Sequence, residues 1–263
     1  MKKELVVPPR GGVGDYHAHV FPGGVCNVKD PWYVPDYDAT VEEYLEHLRT
    51  HGVDWGMLVQ PSFLGDDNSF MLKIMKNHPD RFLGVVVVDH VHPMSAAEKL
   101  YEWDRLGVRG VRLNLYGLDI PDLRSEEWVQ FIDKIAELDW FLQFYCKTEQ
   151  LSSLVDPIRE LPCKVVIDHL GFPESEDIDD HPLLQLIDLE NLWVKASGAY
   201  RSPRGLSKKM YFRLVEEGFE RLVPGSDWPH TLYRENPTEA WDFFDLEKKR
   251  ENEDLKLGED SAR

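Results

Sequence analysis

Two histidines separated by a single residue, His17 and His19, stand near the start of the chain. Residues two apart on a strand share a face, so a strand here would turn both imidazoles, together with Asp15, to the same side. Two such rings can chelate one metal ion or jointly polarise one oxygen atom. A His-x-His motif is also compatible with a hydrogen-bonded pair at a strand end, so this motif alone leaves both interpretations open.

Other short apolar runs end in polar residues, and alternation predicts which of these share a face with the small or apolar residues of their strand. The set predicted to face inward is Arg112, Asn114, Gln143, Tyr145, His169 and Asp227. By the same alternation Asp168, next to His169, points to the opposite face. Together with the histidine pair, five strand ends carry inward polar groups, which packing alone does not explain. We therefore expect them to converge on one rim.

The elements that must position these residues alternate between strand and helix. The predicted strands are Val13–Tyr16, Trp55–Gln60, Phe82–Asp89, Val108–Leu115, Trp140–Cys146, Lys164–Asp168, Leu192–Ser197 and Arg221–Gly225. The predicted helices are Thr40–His51, Ser69–His78, Ala96–Leu106, Ser125–Leu138, Glu149–Glu160 and Lys208–Gly218. Eight parallel units predict an α/β protein with a single-domain (β/α)8 TIM barrel. An open doubly wound sheet is the alternative, disfavoured because no Gly-x-Gly-x-x-Gly turn follows the first strand.

Two segments depart from this alternation. Residues 21–38 form a long loop rich in Gly, Pro and aromatic residues, and its place after the first strand predicts a lid or a wall of the substrate site. Residues 245–263 contain 12 charged residues in 19 and predict a solvated C-terminal tail. We therefore expect the barrel to occupy residues 1–244.

The overall charge limits the range of partners. The net charge of −18 repels phosphate backbones, which argues against nucleic acid as a partner. Apolar runs are far too short for a membrane span, and no secretory signal is apparent. Three scattered cysteines predict a reduced, cytoplasmic protein. Charge and composition do not identify the partner. The motifs described below favour a small-molecule lactone or carboxylate.

Four blocks of residues resemble the amidohydrolase superfamily. They are Asp15-Tyr16-His17-Ala18-His19, Asp168-His169-Leu170-Gly171, Lys195-Ala196-Ser197-Gly198-Ala199-Tyr200-Arg201 and Gly225-Ser226-Asp227-Trp228-Pro229-His230. Their order and spacing are similar to the branch that includes 2-pyrone-4,6-dicarboxylate lactonases, sugar-lactone hydrolases and metal-dependent decarboxylases. The resemblance implies a (β/α)8 barrel in which an aspartate at the end of strand eight, here Asp227, activates water.

The sequence departs from the metal-dependent members of that superfamily at two strands. Strand five carries Tyr145 where those members usually place a histidine, and strand four carries Arg112 and Asn114 in place of a metal-bridging lysine or glutamate. This pattern is similar to the metal-free pyrone-dicarboxylate lactonases, which implies that His17, His19, His169 and Tyr145 polarise the lactone carbonyl. An arginine that such lactonases tend to carry after strand four is replaced by Tyr116-Gly117-Leu118, so the identity of the lactone stays open.

The working hypothesis is a lactone hydrolase without a cofactor. Asp227 is the general base, and Arg112, Asn114 and Arg201 bind the substrate. One alternative is a mononuclear zinc or manganese hydrolase or decarboxylase, with His17, His19, His169 and Asp227 as ligands. A sugar-lactone hydrolase is another, and a catalytically inactive barrel retained as a binding module is a third. In a purely structural arrangement, Arg112 would pair with a carboxylate such as Asp15 and Arg201 would point to solvent.

Overall fold

The computed structural model describes residues 4–203, 205–233, 243, 245 and 246. Eight strands form one parallel sheet in chain order, and an isolated parallel bridge between Ala18 and Trp228 joins the ends of its first and last strands. The strands are β1 (Gly14–Ala18), β2 (Trp55–Val59), β3 (Phe82–Val86), β4 (Val108–Asn114), β5 (Phe141–Tyr145), β6 (Lys164–Ile167), β7 (Leu192–Ala196) and β8 (Leu222–Pro224). The predicted (β/α)8 barrel is thereby confirmed, with all eight strands at the predicted places.

Helices cover the outside of the sheet. They are α1 (Val41–Thr50), α2 (Ser69–Asn77), α3 (Leu100–Arg105), α4 (Glu126–Glu137), α5 (Thr148–Arg159) and α6 (Leu206–Glu216). A reciprocal capping box fixes the start of α1, because Thr40 accepts from the N–H of Glu43 and Glu43 accepts from the N–H of Thr40. Between β6 and β7 the described chain forms 3-10 turns in place of an α-helix.

The core has two layers separated by the sheet. The larger layer lies between the strands and the helices, and Phe243 is buried in it. The smaller layer fills the barrel with residues that point inward from the strands: Trp55, Met57, Val59, Leu83, Val85, Phe141, Val166, Trp193 and Val223. Leu5 and Val6 pack into this inner layer, and the carbonyl of Leu5 accepts from Lys164 at the start of β6. The N-terminal segment therefore closes the end of the barrel opposite the carboxyl ends of the strands.

Alternation along two strands differs from the prediction. In β1 the register against β2 shifts between Asp15 and Ala18, and Asp15 turns to α1, where it accepts from the hydroxyl of Tyr44. The prediction that Asp15 shares a face with the two histidines is therefore wrong. A register shift of this kind is a β-bulge, which interrupts the two-residue period on which the prediction rested.

The predicted orientation of Asp168 is also wrong. Val165 and Ile167 of β6 pack in the outer layer, while Val166 packs in the inner layer and Asp168 continues that inward face. His169 reaches the same side because its backbone turns into the left-handed region, with φ of 50°. Alternation therefore still holds at Asp168, and the prediction failed because it placed Val165 and Ile167 on the inward face; only His169 departs from the two-residue period.

Three further points concern the chain as a whole. No described helix has the length and apolar character needed to cross a bilayer. The predicted tail over 245–263 lies outside the described residues apart from its first two positions. The predicted domain bounds therefore stay predictions.

Candidate active site

The carboxyl ends of the strands bring most of the predicted site residues together. His17 and His19 come from β1 and the turn after it, Arg112 from β4, Tyr145 from β5, and His169, Arg201 and Asp227 follow β6, β7 and β8. Direct contacts, described below, connect these seven residues. Asn114 also ends its strand, but its side-chain hydrogen bond among the described residues is local: its amide oxygen accepts from the N–H of Tyr116. Parallel strands all end at the same rim, which is why residues far apart in sequence converge.

The two histidines of β1 contact each other through their Nε2 atoms, which are 3.2 Å apart. The Nδ1 of His19 lies 2.7 Å from the carbonyl oxygen of Val59 and must carry the proton, since a carbonyl only accepts. Neutral His19 therefore presents a lone pair at Nε2. A hydrogen bond between the rings then requires His17 to carry its proton on Nε2. Burial lowers the pKa of both rings, so this neutral pair is the expected state near neutral pH.

Asp227 presents one free carboxylate oxygen to this pair. Its Oδ2 accepts from the hydroxyl of Tyr200 at 2.6 Å and from the guanidinium of Arg201. Its Oδ1 is buried and accepts no hydrogen bond from the described residues, and it lies 3.5 Å from Nε2 of His19 and 3.8 Å from Nε2 of His17. Burial would raise the pKa of Asp227, yet the Arg201 guanidinium and the neighbouring imidazoles outweigh it and hold that pKa well below its usual range. Asp227 is therefore an ionised carboxylate with one oxygen available to a ligand.

A second buried carboxylate, Asp168, lies beneath the histidines. Its Oδ2 accepts from the guanidinium of Arg112 at 3.0 Å and from the amide of Gln143 at 2.9 Å. Its Oδ1 lies 3.3 Å from Nδ1 of His17 and 3.8 Å from the ammonium of Lys195. The His17 ring and the cations of Arg112 and Lys195 hold the pKa of Asp168 well below its usual range although burial opposes them. Arg112 thus pairs with a buried carboxylate, as the purely structural arrangement predicts, but the partner is Asp168 and not Asp15.

Lys195 and Asp168 both lie beside Nδ1 of His17. The ammonium of Lys195 donates to Gln143 at 2.7 Å and lies 3.5 Å from that Nδ1, where it favours a lone pair. Asp168 Oδ1, at 3.3 Å, favours a proton on the same nitrogen, so the assignment of the His17 proton to Nε2 rests on the contact with His19. Burial lowers the pKa of Lys195 to about 8, so the group is mostly charged at neutral pH.

His169 is the third imidazole of the site. Its Nδ1 lies 2.9 Å from the hydroxyl of Ser197, its ring centroid is 4.7 Å from that of His17, and Tyr145 packs edge-on against it at 5.3 Å. Burial lowers the pKa of His169 to about 4. Tyr145 in turn lies beneath the guanidinium of Arg112, 5.1 Å from ring centroid to Cζ. The suggestion that Arg201 points to solvent is also wrong, since Arg201 pairs with Asp227.

The same residues fit a divalent metal ion in one respect. Ligand atoms of His17, His169 and Asp227 lie within 4.8 Å of one another, and the unpartnered Oδ1 of Asp227 faces the Nε2 atoms of the β1 pair. Imidazole and carboxylate are ligands that zinc and manganese accept. An ion there would act as a Lewis acid towards a carbonyl or a water molecule. Holding it would require His17 to move its proton to Nδ1, where Asp168 could accept it.

Alternation did not assign a role to four residues that contribute to the site: Asp168, Lys195, Ser197 and Tyr200. The sequence indicates a role for Lys195, because a lysine within a buried strand such as Leu192–Ala196 is almost always paired with another polar group. Tyr200 had none, since it lies in a loop and reaches Asp227 only through the fold.

The class of protein is defined by its fold and its site together. The fold is a parallel (β/α)8 barrel, and the site has imidazoles at the ends of β1 and β6 and a carboxylate after β8. The sequence profile of the family described as Amidohydrolase matches residues 15–261, and the chain belongs to that family. A 4-sulfomuconolactone hydrolase from Rhizobium radiobacter is 30% identical over 237 residues, which are 84% of this chain and 77% of that protein. A 2-pyrone-4,6-dicarboxylate hydrolase from Comamonas testosteroni is 29% identical over 242 residues, 84% of this chain and 78% of that protein.

A solved structure has the same fold at closer similarity. The crystal structure of a probable 2-pyrone-4,6-dicarboxylic acid hydrolase from Acinetobacter baumannii, with citric acid bound, superposes with a TM-score of 0.82. The two sequences are 33% identical, and the match covers 91% of this chain and 94% of that one. The family predicted from the four sequence blocks is thereby confirmed.

Proposed function

We propose that this protein is a hydrolase that opens the lactone ring of a small carboxylated substrate. One observation carries the proposal: the buried carboxylate of Asp227 presents an oxygen, which accepts no hydrogen bond from the described residues, to the imidazoles of His17 and His19 at 3.8 Å and 3.5 Å. A base and a polarising donor in one pocket are the two groups that ester hydrolysis needs. The relatives named as lactone hydrolases support the choice of a lactone over other esters.

Asp227 acts as the general base. Its Oδ1 accepts a proton from water while the water oxygen forms a bond to the lactone carbonyl carbon. When the ring C–O bond breaks, the same proton passes to the departing oxygen, so the carboxylate is regenerated and the product is a hydroxy acid. Tyr200 and Arg201 fix the other oxygen, which keeps Oδ1 aimed at the pocket. The low pKa of Asp227 keeps it ionised at neutral pH, at some cost in basicity.

The imidazoles stabilise the charge that develops on the carbonyl oxygen. His17 donates from Nε2, because the lone pair on Nε2 of His19 faces that nitrogen. The phenol of Tyr145 and the ring of His169 line the same space. His19 stays neutral and accepts, so in the free site it holds the His17 proton in position until a carbonyl oxygen replaces it. Removing one such donor typically costs about 10²–10³-fold in rate.

The substrate carboxylate binds to the guanidinium groups, and the reaction needs no metal. Arg112 uses Nε for Asp168 and Arg201 uses Nε for Asp227, and no hydrogen-bond acceptor among the described residues binds their terminal nitrogens, which can therefore bind a carboxylate. Two guanidinium groups and the buried ammonium of Lys195 disfavour a divalent cation beside them. Because Cys26, Cys146 and Cys163 are scattered, we also infer a reducing, cytoplasmic location.

Replacing the base tests the proposed reaction. Asp227→Asn should keep the fold and bind the substrate with similar affinity, while kcat for a carboxylated lactone falls by roughly three orders of magnitude. Turnover, thermal unfolding and product binding are measured together. Asp188→Asn, at an exposed carboxylate paired with Arg159, is the matched control and should retain full turnover. Turnover by Asp227→Asn close to that of the wild type would contradict this assignment of the base.

Chelation separates the proposal from its metal-dependent alternative, which the ligand geometry supports. The enzyme is dialysed exhaustively against a chelator, its zinc and manganese contents are measured, and the lactone is then supplied. Full activity without stoichiometric metal is the expected result. Loss of activity that returns on adding zinc or manganese would assign the site to a mononuclear metalloenzyme. Ligand binding without turnover of any lactone would favour the inactive barrel.

A further inference from the structure

An aromatic cluster extends from the candidate active site to the surface. The ring of Tyr116 stacks on that of Tyr145, with centroids 5.9 Å apart and planes at 13°. Phe172 packs edge-on against both rings at 6.0 Å. Trp32, in the long loop after β1, contacts Tyr116 at 5.6 Å. We name this cluster the aromatic wall (Trp32, Tyr116, Tyr145 and Phe172). Tyr145 belongs both to the wall and to the candidate active site, so the wall begins at the reacting centre.

Two members of the wall are not accounted for by packing. Trp32 is 77% exposed, and an indole left in water gains little from burial against a single ring. Tyr116 is half-buried and occupies the position after β4. Exposed aromatic faces of this kind, continuous with a polar site, are typical of a surface that binds a flat ligand.

A cation lies at the edge of the wall. The ammonium of Lys147, which follows β5, lies 5.0 Å over the ring of Tyr116. Among the described residues no carboxylate forms a salt bridge with it, whereas Arg112 and Arg201 both pair with buried aspartates. In a protein with a net charge of −18, a cation at a site mouth without a carboxylate partner is available to an anionic ligand.

We propose that the aromatic wall and Lys147 form a substrate subsite for the part of the lactone remote from the reacting carbonyl. The wall takes a flat, conjugated ring, and Lys147 binds a second anionic substituent on it. Trp32, Tyr116 and Lys147 thereby determine specificity for planar over puckered lactones. This inference rests on the proposed function for its substrate, but the binding step can be measured without turnover.

Binding is tested first with benzene-1,3-dicarboxylate, a planar dianion that has no ester to hydrolyse. Titration calorimetry on the wild-type protein gives its dissociation constant. Trp32→Ala and Tyr116→Leu should each weaken binding by roughly 3- to 10-fold, the range for loss of one aromatic contact. Lys147→Met should weaken it roughly tenfold, since a charged hydrogen bond is lost. Tyr101→Ala, at an exposed aromatic residue of α3, is the control for the wall and should change nothing.

Lys99 gives a matched control for the cation, because its ammonium also lies over an aromatic ring, that of Trp103, at 5.9 Å. Lys99→Met should leave the dissociation constant unchanged. Unchanged binding in Trp32→Ala, Tyr116→Leu and Lys147→Met, or equal weakening in Lys99→Met and Lys147→Met, would overturn the subsite. Because this measurement needs no hydrolysis, failure of the lactonase activity would not affect it.

Specificity is then measured as kcat/KM for a planar pyrone dicarboxylate against a puckered aldarate monolactone, which carries a carboxylate on a saturated ring. Trp32→Ala and Tyr116→Leu should lower kcat/KM for the pyrone and leave that for the monolactone within twofold. Equal losses on both substrates would show that the wall has only a structural role and would overturn the inference.

Discussion

At the scale of single residues, proton positions decide what the site can do. His17 and His19 have the same side chain and lie side by side, yet their contacts assign them opposite roles at Nε2. The carbonyl of Val59 holds the His19 proton on Nδ1, and the contact between the two Nε2 atoms then assigns the His17 proton to Nε2. The difference arises from partners that the fold supplies, and the residue types alone do not contain it.

Arg112 offers a direct test of substrate charge. Arg112→Met should raise KM for a carboxylated lactone by roughly 10- to 100-fold, the value of one charged hydrogen-bonded contact, and should change KM for its neutral methyl ester much less. Steady-state kinetics on the acid and the ester measure the difference. Because Asp168 also loses a partner, thermal unfolding is followed in parallel. Arg159→Met, at an exposed ion pair, is the control. Similar losses on acid and ester would favour an uncharged, sugar-like lactone.

At the scale of elements, the turns after the strands aim the catalytic groups. His169 and Asp227 both adopt positive φ values, 50° and 57°, although neither is glycine. Such backbone costs of order 1–3 kcal/mol and persists where the surrounding structure enforces it. The strands deliver the chain to the rim, and these strained turns then direct the imidazole and the carboxylate into one pocket.

Gly198, in the turn after β7, shows how closely one such turn is fitted to the site. A Cβ at this position would lie 2.6 Å from Nδ1 of His169. Gly198→Ala should therefore displace His169 and lower kcat by about 10²-fold or more, in addition to destabilising the fold. Gly218→Ala shares the positive φ, 72°, but its Cβ would meet no atom within 4 Å, so it should cost stability alone. Equal activities of the two variants, relative to their stabilities, would show that His169 tolerates the displacement.

At the scale of the whole molecule, buried neutral histidines make stability depend on pH. Burial lowers the pKa of His181 and that of His169 to about 4, below the value of 6.5 for an unfolded chain. Between pH 6.5 and about pH 4, these two histidines are protonated in the unfolded state and neutral in the folded state. The contribution of these histidines to the free energy of unfolding is therefore fully present above pH 6.5 and is lost as the pH drops towards 4. Asp15 acts in the opposite direction, since burial raises its pKa to about 6.

His181 isolates one such contribution because it lies away from the catalytic groups, between Thr148 and Leu183. His181→Gln should reduce the slope of unfolding free energy against pH, between pH 6 and 5, by about 1 kcal/mol per pH unit. Urea unfolding at several pH values measures this slope. An unaltered slope in His181→Gln would mean that His181 is already charged in the folded state.

The sequence by itself determined the barrel and most of its rim. Short apolar runs that alternate with amphipathic helices leave few ways to bury both layers, and the ends of eight parallel strands must meet at one edge. His17, Tyr145 and Arg112 were therefore assigned to the site without coordinates. For Tyr145 and Arg112 the end of a strand and the two-residue period along it are sufficient, whereas His17 lies in the bulge that interrupts this period in β1.

Only the tertiary structure decided how these groups are paired. A bulge in β1 turns Asp15 away, the left-handed turn after β6 brings His169 to the side where Asp168 already lies, and Tyr200 reaches Asp227 from a 3-10 turn after β7. Local periodicity does not extend past the last residue of a strand, and hydrogen-bond partners come from segments as distant as β1 and β7. The proton on His17, and with it the chemistry proposed for the site, depends on those long-range contacts.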